Sequence, residues 1–165
     1  MDAVATHSLI NLDKMVADLS TDKVLKVGWP EKARYPAEQG GKYIAEVAAQ
    51  NEYGAPHKRI PPRPFLAPAI ANNKTTWLKI IEQGAKKTLK GETNILEVFD
   101  MLGAKAAGDV GKEISALTSP ELSEVTIAIR LSKLKKQTRT AGIEKPLIDT
   151  GIMLRSITHA IEAEE

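Results

Sequence analysis

The chain has 165 residues, 42% of them apolar and 27% charged, with no cysteine and only two Trp, three Tyr and two Phe. That is the size and composition of one ordinary globular domain with a core of Ile, Leu, Val and Ala, and it excludes disulfide staples and thiolate chemistry. The 23 Lys and Arg against 21 Asp and Glu leave a formal net charge of +2, which argues against a uniformly basic surface but not against a local basic patch.

Leu9, Leu12, Val16 and Leu19 recur at spacings of three and four, so a first helix is expected from about Ser8, its N-cap, to Leu19. From Lys23 to Trp29 the chain alternates, with Leu25, Val27 and Trp29 on one face, and Pro30 stops it. This reads as a half-buried strand. Residues 31–42 are polar and rich in breakers, an exposed loop.

Tyr43 to Asn51 places Tyr43, Ile44, Val47 and Ala48 at helical spacing, with Gly54 as a left-handed cap, although the segment is short enough to be a strand. Four prolines in residues 54–64 make that stretch irregular or extended. A long helix is expected from Pro64 to about Leu89, with Leu66, Ile70, Trp77, Ile80 and Ile81 on its apolar side.

From Thr93 the stripe Ile95, Phe99, Leu102, Ala106, Val110, Ile114 and Leu117 predicts the clearest helix of the chain. Beside it, Gly103, Ala107 and Gly111 line up four apart. Each glycine costs a helix interior ~1 kcal/mol against alanine. Either a neighbour packs closely there or the helix merely tolerates the loss.

Ser119-Pro120-Glu121 has the form of a helix start. The residues after it fit a strand (Val125, Ile127, Ile129, Leu131) or a helix face (Leu122, Thr126, Ile129, Lys133), and the start signal favours the helix. Asp149 or Thr150 is expected to cap a short turn through Leu154. Ser156–Ile161 alternates again, with Ile157 and Ile161 on one face of a C-terminal strand.

Little of this is catalytic chemistry. His7, His57 and His159 are far apart and in no metal-ligand spacing. Gly41-Lys42 fails as a phosphate loop, because Pro36 and Tyr43 stand where that loop needs glycine and a hydroxyl. No serine has a nucleophile-elbow context, and the glutamates at 162, 164 and 165 form a solvated tail. No apolar run approaches the ~20 residues of a membrane span. The opening MDAVATHSLINLDK lacks the pattern of a signal peptide, so none is expected.

Charge is more informative. Residues 129–145 hold Arg130, Lys133, Lys135, Lys136, Arg139 and Lys145 against Glu144, a local +5, and residues 146–165 carry −3. Such a stretch can contact phosphates, though it has no interleaved aromatics for base stacking. Its alternative is a solvated helix end and loop.

Two blocks resemble a family. In VAAQNEYGAPHKRIPPRPFLAPAI, Val47 to Ile70, the element Asn51-Glu52-Tyr53-Gly54 is followed by Ile60, Pro61, Arg63, Pro64, Phe65 and Leu66. In SPELSEVTIAIRLSKLKK and KPLIDTGIMLRSITHAI, the matching positions are Leu122, Ser123 and Thr126, then Pro146, Leu147, Thr150, Gly151, Leu154, Ser156 and Ile157. Both resemble the minor tail, tail-completion and neck proteins of long-tailed bacteriophages and prophages, and together they cover about a third of the chain.

The prolines stiffen the link into the long helix, Phe65 and Leu66 dock it, and Thr150-Gly151 makes a tight turn before the last strand. Glu52 and Arg63 are expected to pair within or between subunits. The fold expected is α+β, one domain with a small mixed or antiparallel sheet (Lys23–Trp29 and Ser156–Ile161) packed against several helices.

The resemblance implies a non-catalytic virion structural protein of the neck or tail end, assembled in the bacterial host cytoplasm and needing no cofactor or metal. It implies a homo-oligomeric ring, six-fold with twelve-fold as the alternative, meeting connector and tail-tube or tail-terminator proteins around the DNA channel. Ring contacts pair two different faces of each subunit, and loops 31–42 and 54–64 are candidates for them. Arg130, Lys133, Lys135, Lys136 and Arg139 could then touch genomic DNA without reading its sequence. Two rival classes are a small nucleic-acid-binding protein using the basic stretch, and an enzyme with a dispersed site.

Overall fold

The structure, a computed structural model, describes residues 14–134 and 144–164. The described part of the first expected helix, α1, covers 14–19, and its start at Ser8 lies outside the described residues. Strand β1 (Lys23–Gly28) is followed by α2 (Ile44–Tyr53), α3 (Leu66–Leu89), α4 (Ile95–Ala116), α5 (Glu124–Leu134), α6 (Ile152–Arg155) and β2 (Thr158–Ala163). The two strands pair as one antiparallel sheet, so the architecture is α+β. The chain divides into two units: 14–27, 73–106 and 159–164 in one, 28–72, 107–134 and 144–158 in the other.

In the first unit, β1 has the expected alternation, with Leu25 and Val27 half-buried and Val24 and Lys26 exposed. Lys26 Nζ donates to Glu162 Oε2 across the sheet at 2.7 Å, an exposed pair that stabilises little. Helix α4 begins after Asn94, whose Oδ1 accepts the Glu97 N–H at 2.9 Å, an ordinary N-cap. Its stripe behaves as the spacing predicts: Leu102, Ala106, Val110 and Ile114 are buried, and Ile95, Phe99 and Leu117 half-buried.

Gly103 of that helix answers the question of the small-residue row. A Cβ there would lie 2.5 Å from His159 Cγ and 2.8 Å from its Cβ, so strand β2 approaches α4 because position 103 has no side chain. His159 is held in turn by Asp100, with Nε2 2.9 Å from Oδ1.

The second unit holds the larger core: Ile44, Ala48, Phe65, Ala69, Val110, Ile114, Leu147 and Met153, with Trp29, Tyr35 and Ile157 packed against them. The Trp29 and Phe65 rings meet edge to face, centroids 5.9 Å apart, and Trp29 Nε1 donates to the Met153 carbonyl at 2.7 Å. Residues 31–42 are more ordered than their composition suggests. They form a closed hairpin with an Arg34–Tyr43 bridge, a 3-10 turn at Ala37–Gln39 and the Arg34 guanidinium 3.5 Å over the Tyr43 ring.

Several boundaries differ from expectation, each for a physical reason. Helix α3 starts at Leu66, and its covered row runs through Ala69, Asn73, Trp77, Ile80, Gly84 and Thr88, which leaves Ile70 and Ile81 exposed on adjacent rows. Helix α5 starts at Glu124, not at Pro120, because Ser123 supplies the cap: its Oγ accepts the Thr126 N–H at 3.3 Å. Helix α6 is preceded by Gly151 at φ 72°, with no cap from Asp149 or Thr150. Strand β2 starts at Thr158, two residues later than read, because Ser156 still bonds back to Ile152 and Ile157 turns into the core.

Two of the three glycines of α4 give a direct check. Gly108→Ala meets nothing within 4 Å and should add about 1 kcal/mol of stability. Gly103→Ala must displace His159 and should cost about 1–3 kcal/mol. Urea unfolding of the two variants measures both signs.

Candidate functional site

The first family-like block builds a single junction. The α2 row Ile44, Ala48 and Glu52 is buried, so a carboxylate stands where an apolar side chain would continue the row. It is satisfied entirely by backbone: Oε2 accepts the N–H groups of Phe65 (2.8 Å) and Leu66 (2.9 Å), and Oε1 that of Ala67 (3.0 Å). Those are orphan donors at the start of α3, where the helix dipole also favours an anion.

Between the partners, Gly54–Pro64 folds into a small hairpin. Ala55 and Ile60 form an antiparallel bridge, Pro56–Lys58 make a 3-10 turn and Arg59 sits at φ 56°. Gly54 is required at the base. Its φ is 77°, and a Cβ there would come within 2.9 Å of Pro62 N. Its ψ of 167° places it outside the left-handed helical cap expected for it.

Arg63 is buried and does not pair with Glu52 of its own chain, so the expected pair is not made within the subunit. Its N–H goes to Asn51 O (2.6 Å), Nε to Pro120 O (2.9 Å) and Nη2 to Glu121 O (2.9 Å). Backbone donors and acceptors lie closer to each charged group than the opposite charge does, so each is satisfied separately. Asn51 caps internally through Nδ2 to Val47 O, Phe65 is in the core, Leu66, Ile60 and Pro61 are half-buried, and Pro64 is exposed. Tyr53 alone of these large side chains stands out of the fold, 79% exposed.

The second block uses the same device. Arg130 Nη1 donates to Lys145 O (2.8 Å) and Ile148 O (3.1 Å), Nη2 to Pro146 O (3.4 Å), and Nε lies 3.6 Å from Asp149 Oδ1. Lys145 Nζ reaches back to Ser115 O, and Arg155 Nη2 holds Thr150 O at 2.8 Å beside Gly151. Burial lowers the pKa of both Arg63 and Arg130 from the ordinary guanidinium value; Arg130 adds repulsion at Arg63, and Asp149 offsets part of the shift at Arg130. Arg130 is therefore spent on backbone and is not available as a DNA contact. The side chain of Lys133, and Lys135, Lys136 and Arg139, lie outside the described residues.

Sequence reasoning found these residues but not their roles, since charge and spacing say nothing about which distant carbonyls need donors. Among the described residues no group of three His, Asp or Glu could hold a metal ion, and no helix is long and apolar enough to cross a membrane. His57 is exposed in the 3-10 turn, and His7 lies outside the described residues. Glu52, with its carboxylate saturated by N–H donors, is a capping group and not a general base. Comparison of the chain with protein-family models, curated proteins and solved structures finds no match.

Two predictions follow the geometry. Glu52→Ala leaves three helix N–H groups without an acceptor and should cost about 3 kcal/mol, read as a Tm lower by roughly 6–12 °C; Glu52→Gln, keeping one carbonyl oxygen, should fall between. Tyr35, packed on the core, has its phenol pKa raised by burial and then by the Asp149 charge. Above pH ~10 the unfolded chain loses this proton first, so the stability Tyr35 contributes is full below that pH and lost as pH rises toward the folded value. Tyr35→Phe should flatten that alkaline loss in thermal melts.

Proposed function

We propose that this chain is a non-catalytic structural protein of the neck or tail end of a long-tailed phage particle, forming a ring that joins or completes the tail. The observation that carries the reading is the way the two family-like blocks meet. Arg63 of the first binds the carbonyls of Pro120 and Glu121, which open the second, and Arg130 of the second binds those of Lys145, Pro146 and Ile148, which begin its closing stretch. Blocks separated by some fifty residues are thus tied together through Arg63, one of the matched positions, which supports reading them as parts of one architecture.

In this reading the subunit is one of six copies, or twelve, around the DNA channel, each meeting its neighbours through two different faces. Its partners are the connector on one side and the tail-tube or tail-terminator protein on the other, and its location is the virion, after assembly in the host cytoplasm. The rival reading as a small nucleic-acid-binding protein loses Arg130, whose guanidinium is bonded to backbone carbonyls.

Mass spectrometry and cryo-EM of purified particles test the proposal. The chain is expected in mature virions or tails at six or twelve copies, and particles lacking it should accumulate as unjoined heads and tails. Absence from both virions and tails would end the reading.

A further inference from the structure

Tyr53 is anomalous for an aromatic residue. It lies between a buried residue, Glu52, and a glycine of fixed positive φ, so its backbone direction is set, yet the ring is 79% exposed. A large ring held in water at little further entropic cost is the usual anchor of a protein interface. Five and six residues further along the chain, at the tip of the 55–60 hairpin, Lys58 and Arg59 are exposed.

Helix α5 carries the second anomaly. Val125 and Ile129, one turn apart, are 69% and 50% exposed, while Thr126, Ile127 and Arg130 are drawn toward the protein. A solvated helix face would be polar there. The flank of this apolar pair is acidic, with Glu121 four residues before Val125 and Glu124 opening the helix, both exposed. None of Lys58, Arg59, Glu121 and Glu124 forms an ion pair among the described residues.

From these two patches, each apolar at its centre and flanked by opposite charge, we infer that the Tyr53 ridge of one copy docks on the Val125–Ile129 face of α5 in a second copy of this chain, with Lys58 and Arg59 against Glu121 and Glu124. The acidic flank disfavours nucleic acid or an anionic membrane as the occupant. Because the two patches differ, the contact is heterologous and propagates from copy to copy until it closes. The inference rests on the ring reading and names its subunit contact.

The cysteine-free chain allows a clean test. Full-length Tyr53→Cys and Val125→Cys variants, both at exposed positions, are mixed and oxidised. A 53–125 disulfide, located by mass spectrometry, is expected at least tenfold above the same Val125→Cys variant mixed with Ile70→Cys, and a chain carrying both substitutions should give a ladder of covalent multimers. Reversing Lys58 and Arg59 to Glu in the Tyr53→Cys chain should cut the yield at least fivefold, and reversing Glu121 and Glu124 to Lys in its partner should restore it.

No 53–125 disulfide above the control overturns the inference, as does preferential coupling of either single variant to itself or a charge reversal without effect. Particle composition is measured separately. A 53–125 link in a protein absent from virions leaves the contact standing and removes the neck reading; a protein present in virions without the link does the reverse.

Discussion

The Glu52 carboxylate at the start of α3 is the interaction on which the second unit depends. Three N–H groups converge on it, and a carboxylate already buried on the α2 row has no cheaper way to be satisfied than a helix N-terminus. Once α3 must begin there, the chain has from Gly54 to Pro64 to turn round and arrive. The tight backbone at Gly54, the Ala55–Ile60 bridge and the run of prolines all serve that return. Phe65 is delivered to the core edge-on to Trp29 as a consequence, and Trp29 in turn ties Met153 through its indole N–H.

The arginines extend the same logic to backbone that has no helix or ladder of its own. The segments 117–123 and 144–150 are largely irregular, and buried carbonyls in such segments need donors from elsewhere. A guanidinium offers five N–H groups in a rigid fork, so one Arg63 serves Pro120 and Glu121, and one Arg130 serves Lys145, Pro146 and Ile148. Lysine, a single flexible point charge, would not span those acceptors. The cost is two cations held largely out of water, with Asp149 Oδ1 3.6 Å from Arg130 Nε, and burial lowers both pKa values. Neutral acceptors in place of carboxylates make these groups selective for geometry more than sources of large stability.

How much of this could be read from residues alone depends on the range of the physics. The α4 stripe and the β1 alternation reflect burial of one face of one element, and both stand as the spacing predicts. The α2 helix was open to a strand reading because its apolar segment is short, and its third buried position, Glu52, adds nothing to the apolar spacing. Ser119-Pro120-Glu121 has every local mark of a helix start, but Arg63 claims the carbonyls of Pro120 and Glu121, and Ser123 provides a second cap four residues on. On α3, apolar residues occupy two adjacent rows and spacing cannot choose between them; the neighbours choose the row with Ala69 and Gly84, where close approach is possible. Arg130 shows the limit of counting charge. It adds to a basic stretch in the sequence, yet in space it is a donor to three carbonyls.

Around an apolar core, a few positions depart from the pattern of a simple globule. The family-like blocks place their charges, Glu52, Arg63 and Arg130, inward, where they fix backbone direction, and leave Tyr53, Val125 and Ile129 in solvent. A charged interior of this kind resists repacking, because moving any member strands a buried donor or acceptor. The exposed apolar groups are consequently mounted on backbone that cannot easily reorient. For a subunit of a ring that is a physical advantage: association then orders few side chains, so less of the interface free energy is lost to ordering. On the neck reading, the internal network and the outward aromatic are two parts of one requirement, since a closed ring demands the same angle at every contact and a rigid mount is what keeps that angle constant.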